Sequence, residues 1–270
     1  MFVFLIYGVQ SSETCFKSAD SRRRLRRNRS DYFHRCSCEC RYAFWVGNHS
    51  SSALWRTWSL GAAWVLIFIL QLVLGQEASV ERAGLVKPRV WQGEVWRLVT
   101  GPMLHGNFWY ILMNVASGLS LALLIERMAS PHILVPLWLL GAFGGSCSSL
   151  VFLPDKTSVG ASGGLMGFVG FLAVMGWKRS HLLPPQFGMN VLRSVAFMAL
   201  FGLLAWTVID NAAHAGGAMA GALVGCWHFK DRNAGLPLPE SPRQVILGRW
   251  GVFAFGTLVT FTLWRLLAGG

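Results

Sequence analysis

From Leu54 onward the chain is a succession of apolar runs, each near the roughly 20 residues a helix needs to cross the hydrocarbon core of a bilayer. The runs are about Leu54–Gly75, His105–Ile125, Pro131–Leu153, Ser158–Trp177, Phe187–Val208, Asp210–Phe229 and Val245–Leu267. Short charged or polar stretches stop them, such as Glu126-Arg127, Lys178-Arg179 and Lys230-Asp231-Arg232. Segments this long and this apolar satisfy their backbone groups in lipid only as helices. Barrel strands would be about half as long and would alternate. The expected fold is therefore all-α, a polytopic membrane helical bundle.

Composition agrees. Hydrophobic residues make up 53% and charged residues 13% of 270, against roughly 25% charged in soluble domains. The 13 tryptophans suit membrane interfaces. A net charge of +12 does not argue for nucleic acid. The densest basic run, Arg22 to Arg29, lies in the N-terminal tail, and the other basic residues punctuate apolar runs. Anionic lipid and control of topology account for both.

Residues 1–52 are expected to form a basic, disordered cytoplasmic tail. Its opening MFVFLIYGVQ is too short to span, and its charges follow the apolar run instead of preceding it as in a signal peptide. Cys36, Cys38 and Cys40 alternate in CSCEC near His34, a poor match to zinc spacing, so no metal site is assigned. Cys147 and Cys226 read as small packing residues. With the N-terminus inside, most later Lys and Arg fall on the cytoplasmic side; the basic loop 76–104 is the exception.

That orientation brings the second, fourth and sixth runs in from the outer face. Ser162 lies about four residues into the fourth run and His214 about four into the sixth. At about 1.5 Å rise per residue both sit near the same depth. Asn114 lies deeper on the second run. A lone intramembrane serine or histidine is ordinarily a helix-packing or hydrogen-bonding residue. Glycines make these two different. Gly160/Gly164 and Gly163/Gly167 on one run, and Gly217, Gly221 and Gly225 on the other, recur every four residues, the pattern that lets helix backbones touch. A histidine within reach of a serine can take its proton and make it a nucleophile. Free N–H groups in the first turn after Gly160, with Asn114, could stabilise an oxyanion. Asp210, one turn before His214, reads as a helix N-cap and not as a third catalytic member.

In these residues the chain resembles the rhomboid family of intramembrane serine proteases. Gly160-Ala161-Ser162-Gly163 matches the GxSG motif, Ala213-His214-Ala215-Gly216-Gly217 the AHxGG-type motif, and Trp96-Arg97 the Trp-Arg motif of the first external loop. The resemblance covers roughly residues 54–229. It implies a six-helix protease core over 53–230, with a linker and a seventh transmembrane helix over 231–270. It also implies a Ser162/His214 dyad without cofactor, whose substrates are transmembrane segments of other proteins cut near the outer face. Asn114, Tyr110, Gly160 and Met166 would line the oxyanion and substrate site, and Trp96, Arg97, Gly163, Gly217 and Gly221 would be structural. The implied location is multi-pass in the lipid bilayer, the plasma membrane if the chain is bacterial. One departure stands out. Tyr110 occupies the place, four residues before Asn114, where the family often has histidine; a phenol can still donate a hydrogen bond. A rhomboid-like pseudoprotease is the alternative. A transporter would show opposed internal repeats and several intramembrane charges, and neither is evident.

Overall fold

The computed structural model describes residues 54–183, 186–205, 209–230 and 241–268. The N-terminal tail, with its CSCEC stretch, lies outside the described residues. Every described element is helical apart from one isolated bridge between Leu85 and Ser158.

The helices are α1 (Trp55–Leu74), α2 (Gln76–Ala83), α3 (Lys87–Trp91), α4 (Arg97–Thr100), α5 (Phe108–Met128), α6 (Leu134–Phe152), α7 (Ser162–Lys178), α8 (Gln186–Leu204), α9 (Asn211–His228) and α10 (Pro242–Ala268). A helix thus falls on each of the seven apolar runs. Of these, α1, α5, α6, α8 and α10 are long and apolar enough to cross a membrane. The other two, α7 and α9, have 17 and 18 residues and are interrupted by glycine and alanine. α7 sits at the centre of the bundle and α9 packs one face on it, where backbone proximity replaces side-chain bulk. The protein is a multi-pass helical membrane protein.

Glycine sets the geometry of that centre. A β-carbon at Gly221 would fall 1.8 Å from the Gly167 carbonyl oxygen, and one at Gly217 2.0 Å from the Gly163 oxygen, so α9 lies backbone to backbone on α7. A third helix joins them: β-carbons at Gly141 and Gly145 of α6 would meet the Gly167 α-carbon at 3.0 Å and the Ala213 oxygen at 2.8 Å. Sequence spacing anticipated the α7–α9 approach but not α6. The expected Gly160/Gly164 ridge is not one. Gly160 precedes the helix with φ of +121°, a conformation only glycine adopts freely, while Gly164 backs onto the Trp138 indole. Around this centre Trp64, Trp138, Phe168 and Phe171 are fully buried. Cys147 is half-buried as a packing residue, whereas Cys226 is exposed on the outside of the bundle.

The segment between α1 and α5 is not an open loop. It folds into α2, α3 and α4, held by the fully buried Arg97. The guanidinium donates to Glu94 Oε2 at 2.6 Å, to the Gly84 carbonyl at 2.8 Å and to the Glu81 carbonyl at 2.9 Å. Thr100 Oγ1 donates to the Ala83 carbonyl at 2.7 Å. The far end of α10 closes onto the same loop. Arg265 lies 4.2 Å over the Trp96 ring, Phe261 meets that ring edge-on, and Arg82 donates to the Leu266 carbonyl at 2.7 Å. The last carbonyls of a helix lack intrahelical donors, so Arg82 supplies one.

Candidate active site

Three parallel helices, α5, α7 and α9, present their N-terminal turns at the end of the bundle that carries α2–α4. Asn107 starts α5 by accepting from the Tyr110 N–H at 2.9 Å. Asp210 starts α9 by accepting from the Ala213 N–H at 2.8 Å, the N-cap that its position suggested. Ser162 is the first residue of α7, directly after the turn at Gly160. It stands nearer the helix end than the four residues estimated from hydropathy, because Ser158 to Ala161 run as extended chain and turn.

The serine and histidine meet. His214 Nε2 lies 2.9 Å from Ser162 Oγ, and the imidazole is 8% exposed. A second partner reaches the same oxygen: the Tyr110 hydroxyl lies 3.0 Å from Ser162 Oγ. A hydroxyl has one proton to give and two lone pairs to accept with. With a neutral imidazole accepting at Nε2, the consistent chain is phenol to serine to histidine, each donating to the next. The phenol ring also covers Gly160, where any β-carbon would come within 2.3 Å of its oxygen. The glycine therefore serves twice, for its backbone angle and for the space it leaves.

Asn114 is buried one turn below Tyr110 and donates through Nδ2 to the Tyr110 carbonyl at 3.0 Å. Its amide carries a second N–H that this bond does not use. Met166 is buried one turn below Ser162 on α7. His105 is fully buried outside the dyad. Its backbone is clasped by Gln71, which accepts from the His105 N–H at 3.0 Å and donates to its carbonyl at 3.2 Å, and its ring stands edge-on to Tyr110. Asp210 is not bonded to the imidazole; its carboxylate bonds Ala213 N–H, Ser149 and Ser158, with Lys87 beside it. Sequence reading gave Lys87, Ser149 and Ser158 no role at the site. The available signal was a lone lysine in an apolar stretch, Gly84-Leu85-Val86-Lys87-Pro88, and the placing of Ser158 and Asp210 each four residues before a dyad member.

The fold and the site together define a helical membrane protein with a serine and a histidine hydrogen-bonded between two of its central helices. Comparison with known proteins gives the family. The Rhomboid domain profile matches residues 92–231, and the chain belongs to the rhomboid family. It is similar to RHOMBOID-like protein 6, mitochondrial, of Arabidopsis thaliana, with 32% identity over 160 residues, 56% of this chain and 50% of that protein. It is similar to Rhomboid protease GluP of Bacillus subtilis, with 32% identity over 130 residues, 48% of this chain and 25% of that protein. Inactive rhomboid protein 1 of Rattus norvegicus is 30% identical over 130 residues, 47% of this chain and 15% of that protein. The chain thus spans half or less of the length of these relatives. The family they outline holds proteins named as proteases and proteins named as inactive.

Proposed function

We propose that this chain is an intramembrane serine endopeptidase that cleaves transmembrane segments of other membrane proteins near the outer face. Ser162 is the nucleophile, and His214 is the general base and then the acid for the leaving amine. One observation carries this reading: the 2.9 Å approach of His214 Nε2 to Ser162 Oγ, across helices whose glycines bring their backbones together. A serine is a weak nucleophile until an adjacent base takes its proton. The first-turn N–H groups of α7 have no intrahelical acceptors and lie at the positive end of the helix dipole, where an oxyanion is stabilised. The second N–H of Asn114 adds a side-chain donor. The N-terminus is cytoplasmic on the Lys/Arg bias, which puts the dyad end outside, at the plasma membrane if the chain is bacterial.

Tyr110 gives a distinct prediction. Its phenol donates to Ser162 Oγ in the resting site and is released when Oγ attacks, becoming free to donate to the oxyanion. Tyr110→Phe removes one neutral hydrogen bond and leaves the ring in place. It is expected to lower kcat about fivefold, in line with about 1 kcal/mol for one such bond. An unchanged single-turnover cleavage rate would show that the phenol takes no part.

A second reading, a pseudoprotease that binds transmembrane segments without cutting them, is favoured by tyrosine in the family's histidine position and by the likeness to a protein named inactive. The deciding experiment treats the purified, folded chain in detergent with a fluorophosphonate probe and a test transmembrane substrate. Cleavage with covalent labelling at Ser162 is the expected result. A folded protein that neither cleaves nor labels overturns the protease reading and leaves the second.

A further inference from the structure

Beside the dyad, side chains from three separate elements converge on the carboxylate of a fourth. Lys87 comes from the start of α3, Ser149 from the last turn of α6, Ser158 from the chain before α7, and Asp210 from the start of α9. Asp210 Oδ2 accepts from Ser158 Oγ at 2.5 Å and from Ser149 Oγ, while Oδ1 caps α9. Lys87 Nζ donates to Ser158 Oγ at 2.8 Å and to the Lys156 carbonyl, and stands 3.9 Å from Asp210 Oδ2. Its side chain is 0% exposed.

The placing of these residues is what matters. Ser158 precedes Ser162 by four residues and Asp210 precedes His214 by four. Their hydrogen bond therefore joins the same two stretches of chain that the dyad joins, four residues earlier on each. Both ends are fastened. Ser158 exchanges two backbone bonds with Leu85, at 3.0 and 3.1 Å, and the His214 N–H bonds the Asp210 carbonyl at 3.1 Å. Lys87 follows Leu85 by two residues, so the loop that carries α2–α4 enters the same knot.

We propose that Asp210, Ser158 and Lys87 are positioning residues that hold Ser162 and His214 at bonding distance and couple the first loop to the dyad. This rests on the protease reading above. Asp210, half-buried, takes three side-chain or backbone donors besides the ammonium, which satisfies its carboxylate. Burial pushes the Lys87 ammonium down to about 8, against the pull of Asp210 upward and with the push of Lys156 downward, so the carboxylate is the partner that keeps it charged. Removing either charge leaves the other buried without its partner; removing both does not. A shift of about 1 Å at a reacting pair costs about a hundredfold in rate.

The test uses the full chain in detergent, with kcat, KM, fluorophosphonate labelling rate and unfolding temperature measured for each variant. Asp210→Asn and Lys87→Met are each expected to lower kcat and labelling rate about a hundredfold with KM little changed. The double variant Lys87→Met/Asp210→Asn is expected to regain about tenfold of that loss, because no lone charge remains buried. Ser158→Ala, the mildest change, is expected to lower kcat about tenfold with the unfolding temperature near wild type. Single variants that keep kcat within about threefold of an active wild type overturn this inference and leave the protease reading standing. A loss of rate in every variant, Ser158→Ala included, that only tracks the loss of folded protein also overturns it. A folded wild type that neither cleaves nor labels overturns both.

Discussion

Ser162→Ala and His214→Ala are each expected to lower the rate of transmembrane-segment cleavage by about ten-thousandfold or more, with the double variant no slower than either. That is the expected result if the two side chains act as one unit. In the proposed mechanism the serine contributes the attacking oxygen and the histidine the site for its proton, so the loss of either leaves the other with nothing to do. Additive losses would mean that the two act in separate steps. Ser162→Ala is also a clean change. It removes the oxygen bonded to His214 and Tyr110 but no packing volume of consequence, so its unfolding temperature is expected to stay near wild type. The residual rate would come from the helix N–H groups and substrate binding. Activity above a tenth of wild type in either single variant defeats the dyad.

Gly221→Val is expected to destabilise the bundle by about 3 kcal/mol or more, the upper range for overpacking. The reason is the partner it meets. A β-carbon there falls 1.8 Å from a backbone oxygen, that of Gly167, and a backbone cannot turn aside as a flexible side chain can. The two helices must separate, which also draws His214 from Ser162. Gly188→Ala on α8 is the matched control, because a β-carbon at Gly188 meets nothing within 4 Å. It is expected to be neutral or to stabilise the helix by about 0.5–1 kcal/mol. Thermal unfolding in detergent reads both. A Gly221→Val protein that melts with wild type would show that α7 and α9 do not touch there.

The two glycine runs were legible because close helix contact leaves a local mark, a small residue on every fourth position. The contact of α6 left a weaker one. Gly141 and Gly145 keep the spacing, but the serines that follow them, Ser146, Ser148 and Ser149, match no motif that would draw notice. Trp96 and Arg97 were legible as a motif, but only the folded loop gives the reason for the arginine: three acceptors from separate parts of that loop converge on its guanidinium. Tyr110 was legible as a departure from a family pattern. That its hydroxyl lies on Ser162 Oγ could not be, since the bond depends on the Gly160 turn that leaves room for the ring.

By itself the sequence determined the class of structure. Lipid offers backbone groups no partners, so apolar runs of this length must be helices, and glycine at every fourth position within a run favours close helix contact. Tertiary structure alone decided which polar atoms meet. The Asp210 carboxylate could have faced His214; it faces Ser149, Ser158 and Lys87 instead, because the end of α6, the chain before α7 and the start of α3 bring these three groups to its side. Hydrogen bonds are satisfied by whichever partner arrives in space, and arrival depends on helix ends and turns that hydropathy locates only to within a few residues.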